Sequence, residues 1–326
     1  MLQDGFGRSL TYLRVSLLKG CNLSCKYCMP ERIPFKMSEV LRMDELERLV
    51  GRFVARGVRK LRLTGGEPTI RPDIVEIAER FARLDGVRDI AISTNAVRLR
   101  SLAKPLYDAG VRHVNVSLDS LKPDVFRRIT GYSELHKVLD GIEAAREVGF
   151  RPIKLNAVVM RGINEHEVGE LVAYAAQRQL QMRFIEMMQT GATHSLQPRH
   201  FVSNQEVFER LGGAERWEPA GSGTNAGPAR DYRDRANPNA PEIGLINPLS
   251  QNFCADCNRL RLTADGKLRT CLFGRDEVPL RHLLSGPDWS HRLDAAIDAA
   301  VLGKPRSHNL QEGDYGTMLS FVQVGG

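Results

Sequence analysis

The sequence predicts an α/β protein, a partial β/α barrel of the TIM type followed by a C-terminal extension. Three observations carry this. Short apolar segments alternate with amphipathic stretches from Tyr12 to about Met188, the amphipathic stretches end on glycine, and the alternation stops near Gly212.

The apolar segments are Leu13–Leu17, Val58–Leu63, Asp89–Ser93, Val111–Leu118, Ile153–Val159 and Met182–Ile185, which read as strands. Between the first two, Met43, Leu46, Leu49, Val50, Phe53 and Val54 share one helical face. Gly57, Gly86, Gly110 and Gly149 each stand where a helix turns left-handed before the next strand. Repeated β-α units mean parallel strands with right-handed crossovers. Six such strands give an open or incomplete barrel over residues 1–212. Residues 213–326 form the extension. Within it, 218–241 reads as a loop or loose ribbon, and Arg259–Thr263 and Lys267–Phe273 read as a hairpin turning at Asp265-Gly266. Residues 292–302 read as a helix.

Barrels of this kind collect function at the C-terminal ends of their strands, and there the sequence turns polar. The strands lead into the Cys21–Cys28 loop, Thr64-Gly65-Gly66-Glu67-Pro68, Ser93-Thr94-Asn95, Ser117-Leu118-Asp119-Ser120 and Glu186-Met187-Met188.

The net charge of +7 comes from basic residues spread along the chain, without a block of five or six. That suits a pocket for anions and does not favour nucleic acid. No apolar run reaches the length of a membrane span. The N-terminus carries Asp4 and lacks the apolar core of a secretory signal. A cytoplasmic location is expected.

The six cysteines fall into two groups. Cys21, Cys25 and Cys28 are spaced C-x3-C-x2-C, and Cys254, Cys257 and Cys271 are spaced C-x2-C-x13-C. In a reducing compartment such clusters point to a shared metal and away from disulfides. A structural zinc site closes with four protein ligands, and no histidine lies near either triplet. Three thiolates on a four-iron cluster leave one iron open to an outside ligand. An incomplete zinc ribbon also fits the second spacing.

Cys21-x3-Cys25-x-Tyr27-Cys28 resembles the signature loop of the radical S-adenosylmethionine superfamily, and Gly65-Gly66-Glu67-Pro68 its second motif. Over its whole length the chain is similar to the GTP 3′,8-cyclases of molybdenum cofactor biosynthesis. The match is densest at Phe253-Cys254-Ala255-Asp256-Cys257-Asn258-Arg259-Leu260-Arg261, Gly266-Lys267-Leu268 and Cys271-Leu272-Phe273. Arg183-Phe184-Ile185-Glu186, Gly227-Pro228-Ala229 and the final Gly325-Gly326 also agree. The resemblance implies two 4Fe-4S clusters, one on each cysteine triplet, the second carried by the extension. It implies S-adenosyl-L-methionine contacts at Tyr27, Gly66, Ser117 and Met188. It implies GTP contacts at Arg14, Arg62, Ser93, Lys154, Arg259, Leu260 and Arg261. The glycines of the second motif would let the backbone approach the methionyl amine. The implied reaction uses a 5′-deoxyadenosyl radical to take hydrogen from C3′ of GTP, after which the ribose closes onto guanine C8. No side chain acts as acid or base. Implied partners are an electron donor such as flavodoxin or ferredoxin and a cyclic pyranopterin monophosphate synthase that receives the product. A homodimer is allowed. The alternative is another radical enzyme with an auxiliary cluster, acting on a peptide.

The basic positions also make sense alone. Several cations suit a triphosphate, and arginine forks match phosphate oxygens. Arg14 and Arg62 lie within apolar strands, where alternation points them into the barrel. Two stretches depart from the family. Leu17-Leu18-Lys19-Gly20 replaces a polar run before the first cysteine, and Ala96 stands where a glycine is usual. The tail before Gly325-Gly326 is apolar enough to dock on the barrel and help close its pocket.

Overall fold

The structure, a computed structural model, describes residues 1–29, 36–221, 227–317 and 320–325. Met318, Leu319 and Gly326 of the expected tail lie outside them. The six expected strands are present as β1 (Tyr12–Ser16), β2 (Lys60–Thr64), β3 (Asp89–Thr94), β4 (His113–Ser117), β5 (Ile153–Val159) and β6 (Gln181–Glu186). They pair in sequence order, all parallel. Gly57, Gly86, Gly110 and Gly149 have φ between 100° and 107°, the left-handed turn expected of them.

The extension does more than follow the barrel. β9 (Ile243–Ile246) pairs parallel with β6, and β10 (Arg259–Leu262) pairs parallel with β1. The barrel sheet thus gains a parallel strand at each edge. Beyond β10 lie antiparallel β11 (Lys267–Arg269) and β12 (Val278–Pro279); beyond β9 lie antiparallel β8 (Ala229–Asp234) and β7 (Trp217–Pro219). The expected hairpin is β10–β11, and the expected ribbon contains β7 and β8. The C-terminal helix, Trp289–Leu302, packs on α1 (Met43–Ala55), where Arg52 and Arg56 pair with Asp294 and Arg56 also pairs with Asp298.

The strands alternate in an unusual way for parallel β-structure. Parallel strands with both faces covered normally read as continuous apolar runs. Here Leu13, Leu61, Leu63, Ile90, Ile92, Val114, Val116, Leu155, Phe184 and Leu260 face outward into one core with Leu46, Leu49, Val50 and Phe53 of α1. The opposite face carries Tyr12, Arg14, Lys60, Arg62, Ser93, Asn115, Lys154, Asn156 and Arg183, which line a cavity. A packed barrel fills its interior with branched aliphatic side chains. This one keeps its interior polar and open.

Candidate active site

The cavity has a volume of about 1410 Å³, and all six cysteines line it. The two triplets lie at its opposite ends. Cys21–Cys28 follow β1, whereas Cys254 and Cys257 precede β10, which runs parallel to β1. Cys271 follows antiparallel β11 and so joins them. The candidate residues therefore lie at both ends of the strands, not only at the C-terminal ends to which the sequence pointed.

The first triplet is fixed by backbone. The amides of Ser24 and Lys26 donate to the carbonyls of Thr130 and Ile129 at 2.9 and 3.1 Å, seating the loop on the end of the helix Pro123–Thr130. The approach to Cys21 packs against the second motif, whose Gly66 and Glu67 amides donate to the carbonyls of Leu18 and Gly20, both at 2.8 Å. A Cβ on Gly66 would come within 2.0 Å of the Gly20 oxygen. The motif's small residue is thus required by this loop-to-loop contact in the protein itself, whatever the approach of a ligand also asks of it. Lys19, in the stretch that departs from the family, pairs with Asp265 at 3.0 Å, and Leu17 and Leu18 are buried.

Glu67 ties the strand ends together. Its carboxylate accepts from the Thr69 amide at 3.0 Å, the Thr94 hydroxyl at 2.7 Å and the Asn95 amide at 2.6 Å. Asn95 Nδ2 reaches Asn22 Oδ1 at 2.7 Å and Cys21 Sγ at 3.7 Å. Ala96 adopts φ +62°, so the loop keeps a glycine-like shape without the glycine. Tyr27 donates to Asp119 Oδ2 at 2.8 Å, and Asp119 Oδ1 accepts from the Val158 amide at 2.8 Å. Burial raises Asp119 to about 6. Ser117 and Met188 line the cavity beside this group, and Gly66 lines it next to Cys21.

The middle of the cavity is cationic. Arg261, Arg14 and Arg62 stand side by side in register on β10, β1 and β2. Arg62 bonds to the Tyr12 hydroxyl and, at 3.2 Å, to the Ser93 hydroxyl. Burial, and then the neighbouring cations, lower Arg261 well below its usual value, and Arg14 falls to about 10. Lys154 falls to about 8 through burial and then Arg183. Arg259 lies over the Phe253 ring, 4.7 Å from its centroid. Leu260 differs from its two neighbours. Strand alternation turns its side chain into the outer core, fully buried, and not toward the cavity with Arg259 and Arg261. Further cations line the same space, Lys60 and Arg183 on the strands and Arg59, Arg88 and Arg230 beside them, none of them among the expected substrate contacts. Lys60 pairs with Asp89, and Arg183 lies 3.7 Å from Asp231.

The thiols of the two triplets differ in their electrostatics. Burial, then Asp119, then the two companion thiols push Cys25 well up. Burial and then Glu67 raise Cys21 to about 11. Burial acts upward on Cys257 too, but Arg259 and then Lys304 outweigh it and bring it to about 7. Among the described residues no three His, Cys, Asp or Glu side chains converge as they would on a single ion. A cubane of four irons and four sulfides spaces three thiolates more widely than one ion does. A small apolar cluster of Phe273, Leu310, Phe321 and Val324 packs against Cys28 and Cys271. Ser320 Oγ donates to the Cys28 carbonyl at 2.6 Å, and Gly325 accepts from Arg261 at 2.9 Å. The tail therefore reaches the cavity between the triplets.

Residues 15–175 match the Radical SAM superfamily and residues 180–310 match Molybdenum Cofactor Synthesis C. The chain is 40% identical to the GTP 3′,8-cyclase of Aeromonas hydrophila, covering 100% of this chain and 96% of that one. It is 43% identical to the GTP 3′,8-cyclase of Pseudomonas entomophila, covering 100% and 98%. Among solved structures, Streptococcus suis SuiB bound to S-adenosylmethionine shares the fold, with a TM-score of 0.64, 16% identity, and coverage of 92% of this chain and 68% of that one.

Proposed function

Because this chain belongs to the GTP 3′,8-cyclase family of radical S-adenosylmethionine enzymes, we propose that its cavity holds two four-iron clusters with S-adenosylmethionine and GTP between them. Membership makes it a lyase of molybdenum cofactor biosynthesis that uses S-adenosylmethionine and a 4Fe-4S cluster on GTP. The peptide-modifying alternative loses ground, since the likeness to SuiB lies in the fold alone. Among the described residues no helix is long and apolar enough to cross a membrane.

One observation carries the reading: a row of cations lies between two cysteine triplets in a single cavity. Cys21, Cys25 and Cys28 would hold the cluster that binds the methionyl group. Cys254, Cys257 and Cys271 would hold the second. When bound, the first cluster and S-adenosylmethionine supply the 5′-deoxyadenosyl radical that takes hydrogen from C3′ of GTP. The chain's own task is placement, because positioning dominates when a cofactor carries the hard chemistry. Tyr27, Gly66, Ser117 and Met188 surround the S-adenosylmethionine end. Arg14, Arg62, Arg259, Arg261, Lys154 and Ser93 would hold GTP, joined by Lys60 and Arg183. Several buried cations together repel one another, and a triphosphate relieves that repulsion on binding. The tail from Ser320 to Gly325 keeps water from the space between the clusters. An electron donor of the flavodoxin or ferredoxin kind and a cyclic pyranopterin monophosphate synthase complete the scheme.

Iron and sulfide analysis with Mössbauer spectra of oxygen-free protein tests the reading. Two four-iron clusters are expected, and GTP should perturb the spectrum of the reduced protein. Stoichiometric zinc in the second site would sink it.

A further inference from the structure

Lys304 is 3% exposed and does not line the cavity, so substrate cannot be its partner. Its Nζ donates to the carbonyl of Arg259 at 3.1 Å and to the carbonyl of Thr270, the residue before Cys271. Its third hydrogen bond goes to the Cys257 side chain, and the Cys271 thiol favours its charge while Arg8 opposes it. An ammonium has three donors, and these three partners account for them. Among the described residues no carboxylate pairs with it. A buried ammonium without an anion is costly. The anion available is the cysteine set itself, because three thiolates on an oxidised four-iron core leave one net negative charge.

Arg8 extends the arrangement. It donates to the Cys254 carbonyl at 2.6 Å and to the Pro305 carbonyl at 2.7 Å, joining the residue after Lys304 to the first cysteine of the set. The charged groups acting on the other triplet are acidic, Glu67 on Cys21 and Asp119 on Cys25 and Cys28.

We propose that Lys304 is a positioning residue of the second cluster, a buried counter-charge that holds the ligand backbone and raises the cluster's reduction potential. Taking up an electron adds negative charge to the cluster, and a fixed cation behind its thiolates favours that state. The inference rests on the two-cluster reading.

The test uses the full chain with Cys21, Cys25 and Cys28 replaced by Ala, reconstituted without oxygen, so that only the second site holds iron. About four irons and four sulfides per chain are expected. Their absence would overturn both this inference and the two-cluster reading. Lys304→Met and Lys304→Arg in the same background are then titrated with dithionite, and EPR gives the reduced fraction. At a fixed potential, Lys304→Met should shift the ratio at least tenfold toward the oxidised form, which is about 59 mV for one electron. Lys304→Arg should stay near the parent. An unchanged potential in Lys304→Met, with its iron retained, would overturn the role of Lys304 and leave the second cluster standing. Loss of iron from Lys304→Met alone, with Lys304→Arg at the parent potential, supports the need for charge. Loss of iron from both variants would overturn the inference and leave Lys304 a purely structural residue.

Discussion

The two cysteine triplets look into the same cavity from opposite ends, yet their surroundings differ in sign. Cys21, Cys25 and Cys28 sit on a backbone seat with Glu67 and Asp119 as charged neighbours, and burial takes Cys28 to about 12. Cys254, Cys257 and Cys271 are backed by Arg8, Arg259 and Lys304. On the proposed reading the difference separates two jobs. A site that must push an electron out gains from an acidic frame, and a site that must receive an anionic substrate gains from a basic one.

Breaking each triplet in turn is the largest test of that contrast. Cys28→Ala should abolish cleavage of S-adenosylmethionine. Cys271→Ala should spoil the GTP end and leave some cleavage that yields 5′-deoxyadenosine without cyclic product. Equal loss of 5′-deoxyadenosine in both, with folding intact, would contradict the division. Next comes the tail between them. Removing Gly325 and Gly326 deletes the carbonyl that meets Arg261 and should collapse cyclic product while the clusters and the thermal melt stay nearly unchanged. Full-rate turnover by the truncated chain would reduce the tail to a passenger.

The cationic row offers a smaller effect. Arg259→Ala or Lys154→Ala should weaken GTP roughly ten- to a hundredfold, from a charge-assisted contact of about 1.5–3 kcal/mol, and leave S-adenosylmethionine binding nearly unaltered. Equilibrium binding of both ligands decides it. Lys154 adds a pH signature. Burial and then Arg183 hold it at about 8 in the free protein, and a triphosphate beside it favours the charged form. Above pH 8 binding must therefore take up a proton, and the dissociation constant should rise with pH by at most about tenfold per unit. Calorimetry in buffers of different ionisation heat would register the uptake, and Lys154→Met should abolish it. A flat profile in the unmodified chain would detach Lys154 from the phosphates. The smallest effect is at Ala96. Ala96→Gly relieves a left-handed conformation of about 1–2 kcal/mol but loses a buried methyl of about 0.8 kcal/mol and gains unfolded-chain entropy. Chemical denaturation should place the variant within about 1 kcal/mol of the parent.

Much of this was legible because it is local. The six barrel strands, the glycines that end their helices and the two cysteine spacings each occupy a short stretch. Arg14 and Arg62 were readable as inward residues because each interrupts an apolar strand. Lys60 and Arg183 were not read as substrate contacts, since a charge near the start of a strand or in a mixed one reads as surface. The signal that could have found them is two-residue spacing, Tyr12 with Arg14, Lys60 with Arg62, Lys154 with Asn156 and Gln181 with Arg183. Leu260 shows the same rule from the other side, lying between two inward arginines and so facing out. The edge positions of β9 and β10 were beyond local reading because their partners lie far away in sequence. Lys304 was hidden for the same reason, since Gly303-Lys304-Pro305 looks like an ordinary helix exit.

The pairing of β10 with β1 sets an order of events during synthesis. Arg8 and Cys254, like Thr11 and Asn258, meet across 246 and 247 residues. Until β10 has emerged, β1 carries an uncovered parallel edge, which in a nascent chain invites wrong pairing. The backbone seat of the Cys21–Cys28 loop needs only the early part of the barrel, through Thr130, although Ser320 of the tail closes on Cys28 at the end. The second triplet and its cations assemble last, around an N-terminal segment that has waited for them. A chain that stalls late would thus carry most of the first triplet's seat beside an unguarded sheet edge.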